Sequence, residues 1–563
     1  MVRKLEKIYF SGFLVLFFSL FYYQIIKGNY YSNRALNNYL RTIPSPPIRG
    51  SIFDRNGYLL ATDQTSFNIA VIPFEIRNKK NKLFKEIAQF LNYDAELIFR
   101  NYQKRKSNLF SPVDIILNIK KEEALRLKAY LQDAILINPY PQRYYLYPYE
   151  FAHILGYVKQ VKPFYKNLKK YGYTPYQRVG FLGVEQYYDP YLRGEEGGDL
   201  VEVNAKGEVV GFLGRKIAQK GKDIYLTIDY RMQRIAYEAL KGRRGTVILM
   251  DSKKGEILVL VSYPSFNPNY FIQGNKKVKG VLRSKFSPLV NRAIQLRYAL
   301  GSTFKPIVAV AGLEEKIIVP STTFFCQGQI KLGEREFRCR DVHQQEDMFD
   351  ALTHSCNIYF YHLGLKLGVE KLIKWAKKFG LDSFAEIDLP YEKRGFVPYP
   401  GWKKKKLKQR WYKGDTLNLS IGQGFMEITP LEILLAINVF ANEGYLVRPY
   451  LLKKVEDLES EISLKNFMGI SKENLKAVKK GLIYAVEKED GTAHILKRLN
   501  LKIAGKTGTA QSRGRPHGWF VGFFPYDNPR YTFCVFLENA GSSYEALKVS
   551  YYFLKKLKEE ELI

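Results

Sequence analysis

The run Ile8 to Ile26 carries no charged residue and is rich in Phe, Leu and Tyr. About 19 such residues, rising ~1.5 Å each as a helix, cross the ~30 Å apolar layer of a bilayer. Met1 to Lys7, just before it, is net positive. The following Lys27-Gly28-Asn29-Tyr30-Tyr31-Ser32 lacks the small-residue pattern of a signal-peptide cleavage site. The run therefore reads as a retained anchor, with Arg3, Lys4 and Lys7 on the cytoplasmic side; its bland alternative is a buried hydrophobic helix. No later segment looks like a second span, so residues beyond 26 are expected outside the membrane.

The remaining length is too great for a single core, because cores rarely grow past roughly 250–300 residues. The formal net charge is +33, from 88 Lys+Arg against 55 Asp+Glu. A charge of that size suits either a polyanionic partner or a solvated lysine surface. The sequence carries no zinc-finger spacing, RNA-binding strand motif or basic heptad helix, so nucleic acid is not an expected partner.

Past Pro44-Ser45-Pro46-Pro47, Asn56-Gly57 marks a tight turn, and Tyr58 to Ala61 followed by Ser66 to Ile72 read as a hairpin. Helical patterns cover Lys80 to Lys104 and Lys121 to Leu131, and extended chain is expected from Tyr144 through Tyr157. His153, next to a turn, reads as a packing residue rather than a ligand. No nucleophile–base pair stands out here, and the portion 27–220 reads as a pedestal. A boundary falls near Lys220-Gly221. Beyond it, Asp223 to Asp229 reads as a strand and Tyr230 to Lys241 as a helix, and Thr246–Asp251 with Glu256–Val261 form a hairpin. A mostly helical stretch is expected to about Phe379, then a polar segment holding Lys403 to Lys406. Helices follow at Pro430 to Asn442 and Lys472 to Ala485. Strands Lys502 to Ala504, His517 to Phe524 and Tyr531 to Leu537 and a last helix from Glu545 close the chain. Strands at both ends with helices between imply an α+β core whose first and last strands pair across a long insert.

Chemistry concentrates in three places. Gly301-Ser302-Thr303-Phe304-Lys305 opens a helix, and positions i and i+3 share a helical face. The Ser302 hydroxyl needs a base, and a Lys305 amine of lowered pKa can serve. The free N–H groups of a helix start can stabilise an oxyanion. Ser355-Cys356-Asn357 lies in a helix-to-loop region, and Lys506-Thr507-Gly508-Thr509 lies on a closing strand where Gly508 permits close approach. Each motif alone is weak, and an ordinary surface Ser and Lys is the bland reading of the first.

In this order the three motifs resemble those of penicillin-binding proteins and serine β-lactamases. The single anchor, Arg49-Gly50, Asp54-Arg55-Asn56-Gly57, Leu192-Arg193-Gly194, Ile421-Gly422-Gln423-Gly424 and Trp519-Phe520-Val521-Gly522 are similar to class B members. Val201-Glu202 to Gly207 and Cys326 to His343 resemble the elongation-type branch, and Tyr298-Ala299-Leu300 departs from the family's prolines. The resemblance implies a penicillin-binding/serine β-lactamase-like transpeptidase domain, an antiparallel sheet with helices, at 221–563. It would stand on an α+β pedestal of the dimerisation type with a head subdomain at 27–220, above a transmembrane anchor at 8–26 and a cytoplasmic tail at 1–7. It further implies a peptidoglycan D,D-transpeptidase in lateral wall synthesis and cell shape, acylated by β-lactams. Ser302 would form the acyl-enzyme with Lys305 as proton acceptor. Lys506 would lower the pKa of Lys305, Ser355 would relay a proton, and Asn357 would hold the substrate amide. Lys506, Thr507 and Thr509 would face a substrate carboxylate, with the Ser302 and Thr509 N–H groups as oxyanion hole. No cofactor is required for acyl transfer. The implied partners are stem peptides and a membrane glycosyltransferase of the shape, elongation, division and sporulation family. The expected place is the bacterial cytoplasmic membrane with the catalytic domain outside.

Cys326, Cys339, His343 and Cys356 interleave with ligand types that zinc accepts in a closed tetrahedral site, and some elongation-type relatives carry zinc there. A Cys326–Cys339 disulfide and plain buried thiols are the competing readings. Cys534 reads as core. Competing functions are a division-type transpeptidase, a β-lactamase or β-lactam sensor using the same motifs, and a scaffold that activates a membrane polymerase.

Overall fold

Thr246–Met250 and Ile257–Val261 lack the alternation that would leave one strand face wet, so both faces must be covered. The structure is a computed structural model, and it describes residues 2–106, 112–131, 134–160, 173, 177–204, 209–272, 277–459 and 465–563. In it these segments belong to a five-stranded antiparallel sheet. The strands are β1 (Gly245–Asp251), β2 (Ile257–Tyr263), β3 (Ala504–Ala510), β4 (His517–Phe524) and β5 (Tyr531–Leu537), in the order β2-β1-β5-β4-β3. Gly245 stands opposite Leu537 and Asp251 opposite Tyr531, so strands far apart in the sequence pair directly. The closing strand begins at Ala504 rather than Lys502 and runs through the whole Lys506–Thr509 motif.

One face of the sheet is covered by the helices Tyr230–Leu240 and Ser543–Glu559, where Ile235, Phe520, Val535, Phe553 and Leu554 form one core. The other face joins a larger core that includes Ile248, Phe536, Ile307, Leu434 and Ile437. Each such side chain, fully buried, contributes about 1.5–3 kcal/mol relative to exposure. The helix Pro430–Ala441 is buried along its entire length. It starts where Thr429 and Glu432 cap one another reciprocally, with Pro430 in the first turn.

The chain forms two compact units. One comprises Met1–Gly50, Asp63–Arg143 and Arg193–Gly221; the other comprises Ser51–Thr62, Tyr144–Leu192 and Lys222–Ile563. In the first, Leu5–Ile26 is long and apolar enough to cross a membrane and none of it is buried. That unit also has a three-stranded sheet of Leu40–Ser45, Gly197–Val203 and Val209–Lys216. A separate core packs Ile69, Phe84, Ile87, Ile98, Ile116 and Leu127. In the second unit Ile224–Leu226 pairs in parallel with Ile52–Phe53 and antiparallel with Leu452–Val455.

Several local expectations change. The turn at Asn56-Gly57 (Gly57 φ 89°) joins Ile52–Phe53 to a single strand, Leu59–Val71, rather than opening a hairpin between 58–61 and 66–72. The span 80–104 is two helices, Lys80–Phe90 and Ala95–Arg105, parted at Asn92 (φ 50°) and restarted by the Asp94 carboxylate, which accepts from the Glu96 N–H. Around 144–157 the strand is Leu136–Tyr145 and a helical turn occupies Ala152–Leu155. Within the stretch expected to be helical, two small antiparallel ladders stand at 324–346, because Gly328 (φ 88°) and Gly333 (φ 61°) turn the chain where a helix could not continue. His153 is half-buried against Phe266, its Nε2 2.8 Å from the Pro288 carbonyl oxygen, as a packing residue would be. Cys534 lies buried in β5. The resemblance at Val201 to Gly207 runs, from Ala205 on, outside the described residues.

Candidate active site

The Ser302 motif folds as a tight 3-10 turn, Gly301–Phe304, leading into α1 (Lys305–Glu314), with Pro306 in the first α-helical turn. Gly301 sits at φ 58°, and a Cβ there would meet the Thr509 carbonyl oxygen at 2.6 Å. Gly508 faces the same turn, where a Cβ would meet the Leu300 oxygen and the Thr303 methyl, each at 2.8 Å. Gly422 (φ 67°) closes the third side: its carbonyl accepts from the Gly301 N–H at 2.9 Å, and a Cβ would strike the Gly301 oxygen at 2.4 Å. Glycine is thus required where three backbone segments meet without side chains between them. Gln423 bridges the same seam, its Nε2 donating to the Thr509 oxygen at 3.2 Å and its Oε1 accepting from the Gln511 N–H at 3.3 Å.

Between α2 (Met348–Thr353) and α3 (Asn357–Lys378) the chain turns at Ser355, a non-glycine residue at φ 61°. Such a conformation costs of order 1–3 kcal/mol and is held only by its surroundings. Here it turns Ser355 toward α1. Lys305, fully buried, donates from Nζ to the Ser355 carbonyl at 2.6 Å, to Ser355 Oγ at 3.3 Å and to Asn357 Oδ1 at 2.7 Å. Asn357 in turn donates from Nδ2 to the Arg338 carbonyl at 3.1 Å. The first two motifs are therefore joined through Lys305. Among the described residues Ser302 Oγ makes no hydrogen bond, to Lys305 or to anything else.

Lys506 is the second fully buried ammonium, on β3, with Nζ 3.5 Å from Thr507 Oγ1, and Thr507 Oγ1 donates to Thr492 Oγ1 at 3.1 Å. Burial lowers the pKa of Lys305 to about 8, opposed by the negative thiols and carboxylate nearby. Burial also drives Lys506 well below the ordinary lysine range, and the charge of Lys305 pushes it further down. Burial is the leading cause at both amines, with the repulsion between their two positive charges beside it. Thr509 is exposed, and its hydroxyl accepts from the Ser543 N–H at 3.1 Å.

Cys326, Cys339, His343 and Cys356 converge, all four ligand atoms lying within 4.8 Å of one another. Both Cys326 Sγ and Cys339 Sγ are 3.6 Å from His343 Nδ1, and Cys339 and Cys356 are 4.0 Å apart at sulfur. All are free thiols. The Cys339 pKa is lowered, first by its hydrogen bond with Cys356, then by the Asn357 and Ile358 amides, against the effect of burial. The cluster borders the second motif directly: Cys356 is its middle residue, and the Asn357 N–H donates to Cys339 Sγ at 3.1 Å.

Sequence reasoning missed the brace beside this motif. His354 is held between Glu346 (2.8 Å) and Asp490 (2.9 Å). Its pKa is raised to about 9, chiefly by the Glu346 hydrogen bond. The adjacency of His354 to Ser355 was the available signal, but Asp490 comes from a distant segment and Glu346 from a strand that the sequence reads as helix.

Residues 245–559 match the family model described as penicillin binding protein transpeptidase domain, and residues 44–226 match that of the penicillin-binding protein dimerisation domain. The chain belongs to the penicillin-binding protein transpeptidase family. It is 33% identical, over 96% of its length and 89% of the relative's, to the peptidoglycan D,D-transpeptidase MrdA of Haemophilus influenzae. To the protein of the same name from Escherichia coli it is 32% identical over 94% of its length, again covering 89% of that relative. Among solved structures it is similar to the penicillin-binding protein (PBP2) in complex with MreC from Helicobacter pylori. That match has a TM-score of 0.84 at 29% identity and covers 93% of this chain and all of the other. Pseudomonas aeruginosa PBP2 in complex with WCK 5153 gives a TM-score of 0.69 at 29% identity, covering 91% of this chain and 96% of that one.

Proposed function

We infer that this chain is a peptidoglycan D,D-transpeptidase of the elongation type, acting through an acyl-enzyme on Ser302. The observation that carries the residue assignment is Lys305, whose buried amine binds both residues of the second motif. In the proposed cycle Ser302 Oγ attacks the carbonyl of a donor stem peptide and neutral Lys305 takes its proton. The amide C–N bond breaks, and the proton reaches the leaving D-alanine amine through Ser355 Oγ, which lies beside Lys305 Nζ. An acceptor amine then attacks the ester, its proton returns along the same path, and Ser302 is released with a cross-link formed. Lys506, Thr507 and Thr509 face the donor carboxylate from β3, where Gly508 admits the close approach. The contact between Gly301 and Thr509 supports the Ser302 and Thr509 N–H groups as the oxyanion hole. Asn357 fixes Lys305 and can take the substrate amide once Nδ2 leaves the Arg338 carbonyl. A β-lactam carbonyl would enter by the same first step and remain as an ester. Labelled penicillin tests this: it should acylate the wild type and not Ser302→Ala, and equal labelling of both would defeat the assignment. Fast release of hydrolysed drug would favour the β-lactamase reading. Retained activation of a polymerase by Ser302→Ala would show that a scaffold role coexists.

The same reading extends to the setting. Residues 8–26 would anchor the chain in the cytoplasmic membrane, with 1–7 inside, 27–220 as pedestal and 221–563 as the transpeptidase domain outside. The apolar Leu5–Ile26 helix and the basic residues before it support that orientation. A membrane glycosyltransferase of the shape, elongation, division and sporulation family is the proposed partner, supplying the glycan that this enzyme cross-links. Co-purification from membranes, lost when residues 8–26 are exchanged for an unrelated span, would test it.

Zinc is the proposed occupant of the cysteine cluster. Ligands at ~2.3 Å (sulfur) and ~2.0 Å (nitrogen) around a tetrahedral ion are separated by roughly 3.5–3.8 Å; three of the six pairs here stand at 3.6–4.0 Å, and all lie within 4.8 Å. A disulfide would need sulfurs near 2.05 Å. Cys326, Cys339, His343 and Cys356 would hold the ion, which would act as a structural clip on the turn bearing Ser355 and Asn357. Metal analysis with a thiol count after denaturation tests this, and finding neither metal nor disulfide would leave plain buried thiols.

A further inference from the structure

Trp402 to Lys413 holds seven Lys or Arg side chains and no acid. It spans α4 (Pro400–Leu407) and the turn into α5 (Lys413–Ser420). The fold uses one of these cations: Lys403 is buried, paired with Asp415 and placed over the rings of Tyr412 (4.8 Å) and Phe425 (5.8 Å). The other six, Lys404, Lys405, Lys406, Lys408, Arg410 and Lys413, are exposed. Among the described residues none of the six is ion-paired. Six unneutralised charges on one short ridge repel one another, so the arrangement is favoured by an anion from outside.

The ridge is tied to the catalytic seam at both ends. Phe425 stacks edge-on against Trp402 at 5.3 Å and directly follows Gly422-Gln423-Gly424, which holds Gly301 and Thr509. At the other end Gly414 leaves room for the Phe337 ring, which a Cβ there would meet at 3.0 Å, and the next residue, Arg338, accepts the Asn357 amide. Tyr399, Tyr412 and Phe425 are exposed beside these cations, and the Arg410 guanidinium lies over the Tyr412 ring at 5.1 Å. Cations suit free carboxylates, and flat apolar faces suit the C–H faces of sugar rings. We infer that the 402–413 ridge is a binding subsite for the anionic peptide–glycan strand delivered to Ser302, with stem-peptide carboxylates on the cations and sugars on the flanking aromatics. This rests on the transpeptidase reading. An anionic bilayer would call for the charge alone, whereas the aromatic faces and the link to the cleft favour a strand.

The test uses the full-length protein in detergent and the variant Lys404→Gln/Lys405→Gln/Lys406→Gln/Arg410→Gln. Lys403 is kept for its ion pair, and Lys408 because it ends α4 in the left-handed conformation (φ 58°). Binding of purified uncross-linked peptidoglycan strands is measured across a salt series, beside the rate of penicillin acylation. The variant should bind strands at least about tenfold more weakly and with a shallower salt dependence, as expected when fewer charges are neutralised. Its acylation by penicillin should stay within about twofold, which also certifies its fold. Strands whose carboxylates have been amidated should bind the unaltered protein as weakly as native strands bind the variant. Tyr399→Ala, at an exposed ring with no ridge cation over it among the described residues, should weaken binding without altering the salt slope. Strand binding unchanged by the substitutions, or undiminished by amidation, overturns the inference, as does a charge-dependent loss seen only with phosphatidylglycerol micelles. Failure of penicillin to acylate the unaltered protein would count against the transpeptidase reading and not against the subsite.

Discussion

Lysine is used in two opposite ways within one domain. At the seam between α1, the Ser355 turn and β3, Lys305 and Lys506 are fully buried and their charged forms are disfavoured. Along 402–413 all the lysines but Lys403 are exposed and crowded with their own kind. The difference lies in the backbone around them. Three glycines let the backbone segments of the seam meet without side chains between them, and both amines beside it are buried. The ridge is a short helix and turn whose only buried cation is neutralised by Asp415. What surrounds a lysine sets its chemistry: burial in the seam favours the neutral amine that the proposed mechanism needs, and exposure on the ridge leaves the cations open to the anion proposed there.

The largest effect that could break this contrast is at Lys305. Lys305→Met should slow penicillin acylation by about 10²–10⁴-fold, and Lys305→Arg should not restore it, because a guanidinium does not release its proton. Acylation by the variant at the wild-type rate, in a stopped-flow assay, would remove Lys305 from the chemistry. Next comes the seam. Gly422→Ala places a methyl against the Gly301 oxygen at a left-handed position. It should destabilise by about 1–3 kcal/mol and slow acylation, read by thermal unfolding and penicillin labelling. The pH profile sharpens the comparison further. Lys305 is a base only when neutral, so acylation should rise about tenfold per pH unit below about 8 and level off above it. A flat profile from pH 6 to 9 would mean another group takes the proton. Stripping metal with a chelator should lower the unfolding temperature by several degrees and reduce acylation, through the contact of Cys339 with Asn357. Smallest are single ridge changes: Lys404→Gln or Lys405→Gln should alter stability by no more than about 0.5 kcal/mol, since neither side chain has a partner to lose.

The sequence made the chemistry more legible than the geometry. Ser302, Lys305, Ser355, Asn357 and Lys506 are identifiable because short motifs keep their spacing in any fold that uses them. That Lys305 bonds to Ser355 and Asn357, and not to Ser302, was not legible. Helical periodicity relates i to i+3 but is silent on a turn fifty residues away. The glycine seam was half visible. Gly508 suggested close approach on its own strand, but the need for glycine at 422 arises only when its segment meets the turn at 301. The cysteine cluster is readable because ligand types are few, while the small ladders at 324–346 read as helix in the sequence. Their strands are only three or four residues long, too short for alternation to declare itself. The break at Asn92 was missed because the apolar spacing on either side stays helical and only a backbone dihedral changes.

The central claim is that one hydroxyl, on the turn pressed against β3, forms the acyl-enzyme. Mass spectrometry of the penicillin-treated full-length protein, with the adduct mapped to a peptide, tests it most directly. A single adduct on the peptide containing Ser302, absent in Ser302→Ala, is the predicted result. An adduct on any other peptide, or one that survives the Ser302→Ala substitution, would contradict it.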